Sequence, residues 1–294
     1  MRNLKPGETY RTFKGVLGHE FDSDIDNGFR PEGLIRLSET TVDNVQYIHD
    51  HGSVFDTGTA VHHLTLYRSL KSNALVWGTG MVQWVWGLDN HHDINDPQRA
   101  NQYNIRVAAD TDQPDPVVRQ ATVNMLADMG VQPDNLQTDR WGLLQAKPSA
   151  DRIPPDSYIT RIATPSEDVI TVSVMASDKT GVVAGCEVSF DAGGHWHPAT
   201  RLNPGTVPAT FQCSHGLNPW DAMYDDLAAF KARNGGNASV MIRAIDDSCN
   251  MEQAHGEKTG KHFDDDHPPG FAMGRAEHVP VMHPTSGTMH SNEL

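Results

Sequence analysis

Between residues 156 and 252 the chain repeats one pattern: short runs rich in β-branched residues, each closed by turn formers. YITRIATP, DVITVSVMASD, VVAGCEVSFD, HWHPATRL and ASVMIRAIDD follow one another at close spacing. Branching at Cβ suits the pleated, half-buried surface of a strand. Short connections favour antiparallel neighbours, because a parallel pair needs a crossover of a dozen or more residues. DVITVSV alternates apolar and polar, as a strand with one wet face does. The runs therefore predict a small immunoglobulin-like β-sandwich. Within it, NPWDAMYDDLAAFKAR carries a helical pattern, so a helical insertion is expected near residues 217–233. Such an insertion costs little, since loop-closure entropy grows slowly with length.

Upstream, strands and helix alternate, which predicts an α/β segment. KGVLGHEFD, GLIRLSETTV and AVHHLTLYRSL read as strands. In ALVWGTGMVQWVWGL, Gly78-Thr79-Gly80 breaks a strand from the element that follows. PVVRQATVNMLADMG predicts a helix from Pro116, with Val117, Ala121, Met125 and either Leu126 or Met129 on one face and Gly130 as its stop. The proline-bearing stretch QAKPSADRIPPDS then reads as a linker. The expected division is an α/β segment over residues 1–152, a sandwich over 153–262 and a largely unstructured tail over 263–294.

A formal charge of −15 with no basic stripe removes nucleic acid as a partner, because nothing is present to displace its counterions. No apolar run approaches the roughly 20 residues of a membrane helix, and MRNLKPGETYRTFKG lacks the apolar core of a signal peptide. No membrane partner is expected, and the location expected as written is cytoplasmic, or secreted should a longer precursor exist. The three cysteines, Cys186, Cys213 and Cys249, form no CxxC pair and read as reduced, packed thiols, with a Cys213–Cys249 bridge as the alternative. The first 185 residues hold neither a cysteine nor a Gly-x-Ser-x-Gly elbow, so a cysteine or serine nucleophile has no support there.

Ligand-type residues are densest in His19-Glu20-Phe21-Asp22-Ser23-Asp24-Ile25-Asp26-Asn27-Gly28, at the end of an expected strand. Hard carboxylate oxygens with one imidazole suit iron, zinc or manganese. The alternation of Asp22, Asp24 and Asp26 also resembles the opening of a calcium loop, but Gly28 stands one place late and Gly33 occupies the position that requires a glutamate. The other reading is a metal-free acidic loop held by Asx turns and Arg30. A second cluster, Asp89-Asn90-His91-His92-Asp93, offers bases or ligands, or else solvated loop residues. His62 and His63 are neighbours in a strand, so one of them at most is expected to face the interior, as a hydrogen-bonded core residue. Trp84 and Trp86 read as core. In FDAGGHWH, Asp191 reads as a turn former, Gly193 and Gly194 as the positive-φ residues of a hairpin, and Trp196 as a cap on the core.

GHEFDSDIDNGFRPEGLIRLSETTV, LTLYR, GTGMVQWVWGLD and ATVNMLADMGVQP resemble the C-terminal part of the large-subunit domain of N,N-dimethylformamidase over roughly residues 14–134. The resemblance implies a partial, glutamine-amidotransferase-like doubly wound segment. Its first strands and tyrosine ligands would lie upstream, making this chain the C-terminal portion of a larger architecture. It also implies iron as cofactor, with zinc, calcium or no metal as alternatives, and a small amide as substrate. On that reading Glu20, Asp22, Asp24 and Asp26 are the candidate metal ligands. His19 is a base or supports a ligand, and His91 or His92 assists. VVAGCEVSFDAGGHWHPATRL and VMIRAIDDSCNMEQ resemble the early-set immunoglobulin-like modules that trail such catalytic regions. The competing expectation is non-catalytic: a scaffold whose sandwich contacts carbohydrate or a partner chain, such as an upstream catalytic portion, another subunit or a second copy.

Overall fold

The computed structural model describes residues 10–12, 16–17, 20–49, 52–89, 114–136, 138, 142–166, 169–216 and 240–256. His19, His91, His92, the expected helix at 217–233 and the tail from 263 lie outside these residues.

The first unit is a meander of three strands: β1 (Ile35–His49), β2 (Val54–Arg68) and β3 (Leu75–Gly78), in that order and antiparallel throughout. A 3₁₀ turn over Val82–Gly87 and helix α1 (Pro116–Asp128) accompany it. All three strands were legible in the sequence, but the doubly wound arrangement is not what the described residues form. The physical reason is connection length: residues 50–53 and 69–74 join consecutive strands, and loops that short permit only hairpins.

Helix α1 begins where its chemistry dictates. The Asp115 carboxylate accepts from the N–H groups of Val117 (2.8 Å) and Val118 (3.1 Å), and Pro116 fills the first helical position, which has no use for an N–H. Gly130 ends it in the left-handed region. Ala121 and Met125 are buried as expected, but Val118 is buried in place of Val117, which is only half-buried, and Leu126 and Met129 are both exposed.

The second unit is an antiparallel sandwich, as its sequence pattern predicts. Along the chain run β4 (Asp156–Ser166), β5 (Val169–Ser177), β6 (Val183–Ser189), β7 (His197–Pro198), β8 (Thr200–Arg201), β9 (Ala209–Gly216) and β10 (Met241–Asp246). One sheet has the order β4-β5-β9-β8 and the other β10-β6-β7. Strand β5 alternates buried and half-buried residues along its length. Its Ile170, Val172 and Val174 meet Val188, Phe211 and Ile242 in the core between the sheets. In the Asp191 hairpin, Ala192 and Gly193 take the positive φ angles, not Gly193 and Gly194. Gly194 is needed for space instead, since a Cβ there would sit 2.4 Å from Asp191 Oδ2. Trp196 stacks on the guanidinium of Arg243 at 3.8 Å and does not cap the apolar core.

The two units share a second core. Ile35, Leu37, Leu64 and Leu66 of the meander pack with Trp84, Val118, Ala121 and Met125, and the cluster continues into Ile245 and Cys249 at the end of β10. Cys213 lies in the sandwich core and Cys249 in this second one, and all three cysteines are free and buried. Burial pushes the Cys213 and Cys249 thiols up to about 12, so they stay protonated and unreactive. Truncating Ile245 to Ala should therefore weaken both units at once, costing about 2–5 kcal/mol in chemical denaturation. Ile48→Ala, at a position 64% exposed, should change stability by no more than about 0.5 kcal/mol.

Candidate functional site

Residues 20–34 form an irregular strap that crosses the open face of the meander and ends against the sandwich. Its first anchor is backbone: the Asp22 N–H donates to Gly80 O (2.8 Å) and Asp22 O accepts from the His63 N–H (3.3 Å). Asn27 then makes an Asx turn, its Oδ1 accepting from the Phe29 N–H at 3.1 Å. Glu20, in the left-handed region at φ 57°, and Asp22 both carry exposed side chains.

The remaining two candidate ligands are already occupied. Asp24, with a side chain only 4% exposed, accepts from Arg30 on both oxygens, Nε to Oδ1 at 2.9 Å and Nη2 to Oδ2 at 3.1 Å, and Oδ2 also accepts from Arg36 Nε at 2.7 Å. Burial alone would raise its pKa. The hydrogen bonds and charges of Arg30 and Arg36 outweigh that and hold it below the ordinary carboxylate value. Asp26 Oδ2 lies 2.7 Å from Nδ1 of His197 on β7. Among the described residues Asp22, Asp24 and Asp26 form no group whose ligand atoms converge, and Asp24 and Asp26 turn to different partners. The Asx turn at Asn27 and the Arg30 contact are the two features that the acidic-loop reading of the sequence named.

Arg30 carries the strap onward. Its Nη1 donates to Glu187 Oε1 at 2.9 Å, with side chains only 5% and 2% exposed, and its Nη2 donates to Leu34 O. Glu187 Oε1 also accepts from the Gly33 N–H (2.9 Å), and its Oε2 accepts from Arg243 Nε (2.8 Å). Arg243 reaches back to Glu32 Oε2 at 2.8 Å. The result is a network, Arg36–Asp24–Arg30–Glu187–Arg243–Glu32, buried in its four middle members and exposed at both ends, running from the meander into the sandwich. Sequence reasoning missed Glu187, Arg243 and His197. A signal existed for two of them: a single acid interrupts GCEVSF, a single base interrupts VMIRAI, and the β6–β10 register sets Arg243 opposite Glu187.

The strap also changes the fate of the paired histidines, both of which are buried. They do point to opposite faces of β2, but the strap covers the face that would otherwise be wet. His62 Nε2 donates to Thr79 O at 2.8 Å, and its ring meets Phe21 edge-on. His63 Nδ1 accepts from the Asp24 N–H at 2.9 Å, which leaves the proton on Nε2, 3.4 Å from Glu39 Oε2. Burial lowers both pKa values; Arg36 adds to this at His63. A cavity of about 330 Å³ opens beside His63, lined also by Asp22, Asp24, Phe29 and Arg30. It is large enough for a small polar molecule, with a neutral imidazole and an arginine-neutralised carboxylate in its wall.

A family model described as N,N-dimethylformamidase beta subunit-like, C-terminal, matches residues 2–96. The match takes in the strap and the whole meander, and it stops short of α1, so the ATVNMLADMGVQP motif falls outside it. No curated protein matches the chain. Among the described residues no helix is long and apolar enough to cross a membrane.

Replacing Asp24 with Asn should strand two guanidinium groups, one of them buried, and cost about 3–5 kcal/mol. The pH dependence follows from the shift. Because the folded pKa of Asp24 is depressed, its stabilisation is present above the ordinary value of 3.8 and is lost as pH falls through the folded value. The depressed histidines act in the same sense at higher pH, stabilising fully above 6.5 and less as pH falls below it. Thermal melts should show the gap between wild type and Asp24→Asn constant from pH 8 to 5 and narrowing below pH 4.

Proposed function

We propose that this chain is part of a dimethylformamidase-like protein in which the described residues form the support of a catalytic region and not its metal centre. The strap fastens the meander to the sandwich. The observation that carries this reading is Asp24, whose two oxygens are each taken by an arginine. A cation there would have to expel Arg30 or Arg36. Asp24 therefore does not fit an iron, zinc or calcium ligand set. The partner of such a support is an upstream catalytic portion or another subunit, and a small amide would be bound by that assembly. The facing antiparallel sheets and the Asp191 hairpin favour an immunoglobulin-like module for the sandwich.

A second reading, metal-assisted amide hydrolysis within this chain, draws support from the exposed Glu20 in its left-handed conformation and from the cavity beside His63. It would need ligands or bases from His19, His91 and His92. Elemental analysis and an assay for dimethylamine release from dimethylformamide separate the two. Support predicts no stoichiometric iron or zinc, no amine release by the chain alone, and no change in either on Glu20→Ala. Stoichiometric iron or zinc that is lost in Glu20→Ala would overturn it.

A further inference from the structure

The acidic side chains that do converge lie elsewhere, where the linker meets the ends of two sandwich strands. Asp151 comes from the linker, Asp178 follows β5, and Asp246 ends β10 with Asp247 next to it. One carboxylate oxygen from each of Asp151, Asp178 and Asp246 lies within 4.8 Å of the others. Among the described residues none of the four enters an ion pair.

Asp151 and Asp178 each divide their two oxygens between a bonded and an unbonded role. Asp151 Oδ1 accepts from the Ile153 N–H (3.0 Å) and from Thr180 Oγ1 (2.7 Å). Asp178 Oδ1 accepts from the N–H groups of Thr180 (2.8 Å) and Gly181 (3.0 Å). In both residues the second oxygen, Oδ2, is buried and has no hydrogen-bond partner. Two orphaned anionic oxygens in one place are costly unless something positive meets them. Both are aimed at the same spot. A Cβ built on Gly181 would lie 2.5 Å from Asp151 Oδ2, 2.9 Å from Asp247 Oδ1 and 3.5 Å from Asp178 Oδ2. Three carboxylates thus surround the open side of a residue that has no side chain to fill it. Asp246 is fixed beside them by Asn250 and Ser248, its Oδ1 accepting from both N–H groups and its Oδ2 from Asn250 Nδ2.

We infer that Asp151, Asp178, Asp246 and Asp247 form a calcium site that pins the linker to the sandwich. The donor set is all oxygen, with no histidine or cysteine, which selects a hard cation. Carboxylates drawn from three separate segments make an irregular shell, which calcium tolerates and magnesium, bound to octahedral geometry, does not. Burial and the neighbouring carboxylates push Asp246 and Asp247 up to about 6. This site is independent of the amide reading, whose candidate ligands are Glu20, Asp22, Asp24 and Asp26.

The test is calorimetric titration of the chelator-treated full chain with CaCl₂ and, separately, MgCl₂, with thermal melts in each. One calcium should bind per chain, with Kd between roughly 10⁻⁵ and 10⁻³ M, and raise Tm by several degrees. Magnesium should bind at least tenfold more weakly. Asp151→Asn and Gly181→Ala should each weaken calcium binding at least tenfold, the second by filling the space the oxygens surround. Circular dichroism checks that each variant is folded, and the wild-type titration decides the matter if a variant is not. Absence of calcium binding at millimolar concentration, tighter binding of magnesium, or calcium binding unchanged in folded variants would each overturn the inference.

Discussion

One buried carboxylate, Glu187, organises how the two units meet. It sits on a sandwich strand and is met by an arginine from the strap, by the Gly33 N–H and by the arginine opposite it on β10. Four charges in a row, Asp24, Arg30, Glu187 and Arg243, have side chains no more than 6% exposed. Desolvating them is expensive, and the arrangement holds only because each is hydrogen-bonded on more than one side. Removing one member leaves its neighbours buried with a partner lost. The network therefore contributes position more than net stability: it dictates where the strap lies, and the strap in turn covers His63 and shapes the cavity beside it.

The apolar side of the junction works in parallel. Ile245 and Cys249 close a core that begins at Ile35 and runs through Trp84 to α1. Trp84 is held there by its ring N–H, which donates to Thr122 on the helix at 3.2 Å. Hydrophobic contact is undirected and would tolerate sliding between the units, whereas the charges do not.

Much of this was legible in the sequence. The β5 alternation, the hairpin-forming runs that became β1 and β2, and the Asp115-Pro116 start of α1 each follow from local chemistry with period 2 or 3.6. Strand direction is invisible in the apolar alternation and is carried by the short connections at 50–53 and 69–74, whereas the doubly wound expectation came from a resemblance. The candidate ligands illustrate the harder limit. Asp22, Asp24 and Asp26 are regularly spaced, yet an irregular strap does not send alternate residues to one side. Their partners, Arg36, Arg30 and His197, come from separate segments. The carboxylates that do converge, Asp151, Asp178 and Asp246, are dispersed over 96 residues, so no window of sequence shows them together.

The central claim is that Arg30 and Glu187 couple the strap to the sandwich energetically, and a double-mutant cycle measures that directly. Arg30→Met, Glu187→Gln and the double variant would be unfolded in denaturant alongside the wild type. The account predicts an interaction energy of about 1–3 kcal/mol, the double variant being less destabilised than the sum of the singles. Additivity to within about 0.5 kcal/mol would contradict it, showing the network to be a bystander to a junction held by its apolar core alone.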